Sequence, residues 1–114
     1  MSNDTTFSAS GAYDLAQAEP FKAGVIQWVR KPGEGGRDDL GCGFWTVGPA
    51  DAPGPVEVVI HADETVHILE GRVRIEVADG PTHELTAGDV ASFNAGTRTV
   101  WNIIEPTVEF FVYS

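Results

Sequence analysis

An all-β fold closed into a sandwich, barrel or jelly roll is predicted by three observations: period-two hydropathy, closely spaced turn signals and almost no helical periodicity. The alternation is strictest in Val73-Arg74-Ile75-Glu76-Val77, and a period of two is that of a strand with one buried and one wet face. Turn-forming residues punctuate the apolar runs at Gly48 to Pro55, Ala62-Asp63, Asp79-Gly80, Ala87-Gly88-Asp89 and Asn94-Ala95-Gly96. The 114 residues suffice for one core and not for two.

Residues 1–22 are expected to form an N-terminal arm over a barrel domain of residues 23–114. Phe7 and Tyr13 anchor the arm, and Tyr13 to Glu19 can make a short helical turn that Pro20 stops. Ala23 to Arg30 reads as a strand, with Val25, Gln27 and Val29 on one face and Ile26, Trp28 and Arg30 on the other. Lys31 to Gly43 is a glycine-rich loop without the residue order of a phosphate-binding loop. Strands follow at Phe44 to Val47 and Val56 to His61. The central pair is Glu64 to Leu69 and Arg72 to Val77, joined by a tight corner at Glu70-Gly71. His83 to Thr86, Val90 to Phe93, Thr99 to Ile104 and Thr107 to Tyr113 complete the set, the last two separated by Glu105-Pro106. Hairpin, Gly-Asp turn, Gly turn and strand in this order fit a double-stranded β-helix.

Seven basic residues against seventeen acidic ones give a formal charge of −10. Such a surface repels phosphate backbones and anionic headgroups, so neither nucleic acid nor membrane is an expected partner. Cys42 is the only cysteine, which rules out an internal disulfide and a zinc ribbon. The polar opening Met1-Ser2-Asn3-Asp4-Thr5-Thr6 lacks the features of a secretory signal, and no apolar run is long enough to cross a bilayer. A cytoplasmic location is the expectation.

Glu64 stands out. By parity it shares a strand face with Val66 and Ile68, so a carboxylate points inward with them and needs a partner, a ligand or a shifted pKa. His67, three residues on, points the opposite way. His83 falls on the strand after the Asp79-Gly80 hairpin and is expected at an edge or exposed.

Glu64-x-x-His67-Ile68-Leu69-Glu70-Gly71, Leu85-Thr86-Ala87-Gly88-Asp89-Val90 and Phe93-Asn94-Ala95-Gly96 resemble the two sequence motifs of the cupin superfamily. Gly43-Phe44-Trp45-Thr46-Val47-Gly48-Pro49 upstream, and Thr99-Val100-Trp101-Asn102 with Glu105-Pro106 downstream, are similar to one subgroup of small single-domain cupins. That subgroup is related to the (S)-ureidoglycine aminohydrolase cupin domain and takes in the cupin of ethanolamine-utilisation clusters. The resemblance covers roughly residues 43–113 and implies a cupin double-stranded β-helix. It implies no single activity, because one fold hosts many functions.

Metal-binding cupins place H-x-H shortly before the glutamate and a fourth ligand, usually histidine, three residues after the second-motif glycine. Here Glu57-Val58-Val59-Ile60-His61 precedes Glu64 and Thr99 follows Gly96. No metal or other cofactor is therefore expected. Were a metal held, Glu64 and His61 would carry it, and manganese, zinc or iron would suit those donors.

The expected ligand-binding residues are Trp45, His61, Glu64, Thr99 and Trp101, with Glu64 also the candidate catalytic group. Indole can floor a small polar metabolite while its N–H orients it. Arg98 could supply a cation for a ligand carboxylate. Three functions remain open: a metal-free small-molecule-binding cupin; a metal-dependent hydrolase or isomerase of a small ureide, amine or sugar-like metabolite, as the resemblance implies; and a non-catalytic accessory subunit. A homodimer is expected, with Phe111 and Tyr113 outward at its interface and Phe110 and Val112 in the core.

Overall fold

The computed structural model describes residues 18–114. Phe7 and the start of the expected turn at Tyr13 lie outside the described residues, and Glu19, its last residue, is extended. Eight strands are described: β1 Glu19–Pro20, β2 Val25–Arg30, β3 Gly41–Val47, β4 Val56–Val59, β5 Glu64–Val77, β6 Thr82–Thr86, β7 Val90–Phe93 and β8 Arg98–Tyr113. A single 3-10 turn, Glu34–Gly36, interrupts the loop between β2 and β3. All pairings are antiparallel, in the order β1-β2-β3-β8-β5-β6, with β4 added to β8 and β7 to β5. The fold is the expected all-β jelly roll.

Two long strands form its spine. The first half of β5 lies between β7 and the end of β8, and its second half lies between β6 and the beginning of β8. The beginning of β8 also carries β4, and its end carries β3. Each long strand thus serves two layers, which requires it to bend midway.

That bend corrects two sequence expectations. Glu70-Gly71 is not a hairpin corner but an irregularity within one strand, where the register with β8 shifts between Ile68 and Val73. Gly71 has φ 95°, and a Cβ there would run into the Pro106 carbonyl oxygen and Thr107. Only glycine tolerates both demands. Likewise Glu105-Pro106 does not divide β8, because the strand passes through it. Gly41 to Gly43, expected in the loop, belong to β3.

Directly opposed residues of an antiparallel pair face the same side. The register therefore assembles inward rows across the sheet: Gly41–Tyr113–Glu64–Phe93, Gly43–Phe111–Val66–Ala91 and Trp45–Glu109–Ile68. Phe111 and Tyr113 are buried and Val112 is exposed. The expectation of Phe111 and Tyr113 as an outward dimer face is thus reversed. Phe110 instead packs outside against Phe44, ring centroids 5.3 Å apart. Val73, Ile75, Leu85 and Ile103 fill the far end of the barrel as part of the apolar core.

Candidate functional site

The end of the barrel opposite Val73 and Ile75 is not filled. A cavity of about 270 Å³ opens there, lined by Trp45, His61, Glu64, Trp101, Glu109 and Tyr113 among others. Its size is near the lower bound of roughly 300–1,000 Å³ for small-molecule sites. Glycine helps keep it open, since a Cβ on Gly41 would lie 2.9 Å from the Tyr113 ring.

Glu64 is brought here by parity with Val66 and Ile68, both fully buried. Surrounded by aromatic and aliphatic walls, its carboxyl is pushed up to about 7 by burial. Water would stabilise the anion and the cavity wall does not. His67 faces outward, as strand direction predicts, and His83 is exposed, as expected of the strand after the Asp79-Gly80 hairpin.

Sequence reasoning missed Glu109. It lies three residues before Val112 on β8, opposite Ile68 on β5 and Trp45 on β3. It is 3% exposed, and its Oε1 has no hydrogen-bond partner among the described residues. Burial, reinforced by the Glu64 charge, holds its carboxyl well above the usual carboxylate range. The same two causes raise the Tyr113 phenol. A signal was present in the sequence: Glu109 has the parity of Thr99 and Trp101, and that parity faces inward at both ends of β8 although strict alternation breaks over Ile104 to Val108. Dividing that strand at Glu105-Pro106 hid it.

Trp45 and Trp101 line the cavity in T-shaped contact, centroids 5.7 Å apart. Their N–H groups are committed within the protein. Trp45 Nε1 donates to the Ala23 carbonyl at 2.7 Å, and Trp101 Nε1 donates to Thr99 Oγ1 at 2.9 Å. The indoles offer apolar and π surface, not donors, to anything in the cavity. Thr99 Oγ1 in turn donates to the Val58 carbonyl at 2.7 Å, and Thr99 is not among the lining residues. Its role in the geometry is to hold Trp101. His61 is at the rim, its ring 4.6 Å from that of Tyr113. Arg98 lines a separate surface recess with Glu57 and Glu76. The Cys42 thiol is pushed up by burial, away from nucleophilic activation.

Among the described residues no group of three or more His, Cys, Asp or Glu side chains is arranged to hold a metal ion, the ligand count of stable sites. The chemistry the cavity does offer is a pair of carboxyls that favour protonation, inside aromatic walls. Such a pair holds one negative charge more readily than two.

The EutQ-like cupin domain model matches residues 42–110. The chain is similar to EutQ of Clostridium difficile, with 16% identity and a TM-score of 0.64 over 78% of this chain and 65% of that one. It thus spans just under two thirds of that protein. A DUF861 family protein from Thermotoga maritima is 25% identical, with a TM-score of 0.56 over 62% of this chain and 76% of that one. Ectoine synthase from P. lautus reaches a TM-score of 0.71 at 16% identity, over 89% of this chain and 70% of that one. No curated protein matches the chain.

Proposed function

The chain belongs to the EutQ-like cupin family, and on that premise we propose that it binds a small polar metabolite inside the barrel, with Glu64 as the polar contact. The observation that carries this reading is a carboxyl pushed up to about 7 facing a largely aromatic and aliphatic cavity of about 270 Å³. A cavity of that kind favours a ligand whose nonpolar part lies on Trp45 and Trp101 and whose polar group reaches Glu64. Structural likeness to an enzyme such as ectoine synthase supports the fold and leaves the chemistry to these residues.

The test is a thermal-shift panel of small amines, ureides, sugars and carboxylates on the purified protein and on Glu64→Gln. A ligand at about 100 times its Kd adds roughly 2.7 kcal/mol of stability. The expected result is a raised Tm for one chemical class, lost in Glu64→Gln. No protection by any class, or protection indifferent to Glu64→Gln, refutes the reading.

The second reading is catalytic: a metal-dependent hydrolase or isomerase of a small ureide, amine or sugar-like metabolite, resembling ureidoglycine aminohydrolase. It is favoured by one observation, that a carboxyl near 7 is poised to take or give a proton at neutral pH.

A further inference from the structure

We propose that Glu109 is a second ligand contact, and that Glu64 and Glu109 together select a metabolite carrying a single protonated amine or amidine with N–H donors. This rests on the binding reading above and assigns the chemical class of its ligand.

Glu109 is the unusual group. A buried oxygen without a partner is costly in any fold, and Oε1 of Glu109 is buried and, among the described residues, unpaired. It belongs to a residue lining the cavity, between the apolar neighbours Ile68 and Trp45. An N–H donor entering from the cavity supplies the missing hydrogen bond. A protonated carboxyl retains an accepting oxygen, so Glu109 need not ionise to fill this role.

Charge and wall chemistry point the same way. The titratable groups at the cavity are Lys22, His61, Glu64, Glu109 and Tyr113. The only lysine among them, Lys22, is exposed and donates to the Glu57 carbonyl at 3.4 Å, and among the described residues Glu64 and Glu109 make no salt bridge. No cation of the described residues therefore compensates the pair. Trp28, Trp45, Trp101, Phe111 and Tyr113 surround it, and aromatic faces attract cations. Because burial and mutual repulsion oppose a second ionisation, the pair matches one positive charge. A quaternary ammonium would meet the charge and leave Glu109 Oε1 unpaired. A primary ammonium or amidinium meets both.

The experiment is calorimetric titration of the purified protein at pH 8 with n-butylammonium, tetramethylammonium, 1-butanol and butyrate. n-Butylammonium is expected to bind about tenfold or more tightly than the other three, the scale of one hydrogen bond to a charged donor. Glu109→Leu should erase its advantage over tetramethylammonium, whereas Glu109→Gln, which keeps an accepting oxygen, should preserve it. Glu64→Gln should weaken both cations. Melting curves check the folds, and Glu109→Leu should be at least as stable as the parent because it removes the unpaired oxygen. Equal binding of the two cations, an advantage that survives Glu109→Leu, or a preference for butanol or butyrate overturns the ligand class. The same holds if none of the four probes binds although the wider panel yields a ligand sensitive to Glu64→Gln. Absence of binding in both experiments overturns the parent reading, and this one with it.

Discussion

Replacing Glu64 by glutamine should make the protein more stable at pH 8 and leave it almost unchanged at pH 4.5. The carboxyl rises from an ordinary 4.5 to about 7 on folding, driven by burial. Below pH 4.5 it is protonated in both states, and the fold has its full stability. Between 4.5 and about 7 the unfolded chain has lost the proton and the folded chain still holds it, so stability falls as pH rises. Above about 7 both states are ionised and the whole penalty stands. At 1.36 kcal/mol per pKa unit, that penalty is about 3 kcal/mol. Glu109 is raised in the same direction, so its loss has the same sign, but it is present in both proteins and largely cancels in their comparison. Relief of Glu109 from the Glu64 charge adds to the difference in the same sense. Urea unfolding of parent and Glu64→Gln at pH 4.5, 6, 7 and 8 measures it directly. The gap should open by about 3 kcal/mol across that series. A gap that is constant with pH would show that Glu64 is not held in an apolar environment, and the argument for a site there would fail with it.

Two further changes probe the frame around the cavity. Thr99→Val removes both the acceptor for Trp101 Nε1 and the donor to the Val58 carbonyl; it should cost about 1–3 kcal/mol by urea unfolding and alter the indole fluorescence. Gly71→Ala meets both a positive φ and the Pro106 carbonyl, and should cost about 2 kcal/mol or more, a drop in Tm of roughly 8 °C. Gly96→Ala is the control, since Gly96 has φ 89° but nothing lies within 4 Å of its would-be Cβ; its loss should be the smaller of the two.

Much of the fold was legible because its causes are local. Asp79-Gly80, Ala87-Gly88-Asp89 and Asn94-Ala95-Gly96 turn the chain where their residue types require. Gly88 and Gly96 adopt φ 97° and 89°, and the Asp89 carboxylate accepts from the Thr86 N–H at 2.7 Å to close its own turn. The inward direction of Glu64 was equally legible, since strand geometry alone ties it to Val66 and Ile68.

The residue types and their alternation were enough to specify an all-β barrel, its turns and one inward carboxyl, because each depends on neighbours a few positions away. Pairing decided the rest. Whether β5 and β8 break or bend midway depends on partners that claim both halves of each strand, and whether Phe111 or Phe110 faces inward depends on register against Gly43 and Val66. Glu109 joins Glu64 only because β8 lies beside β5, and Thr99 serves Trp101 and Val58 instead of the cavity only because β4 lies on its other side. Those are contacts between residues some 40 positions apart, and such contacts have no period to read.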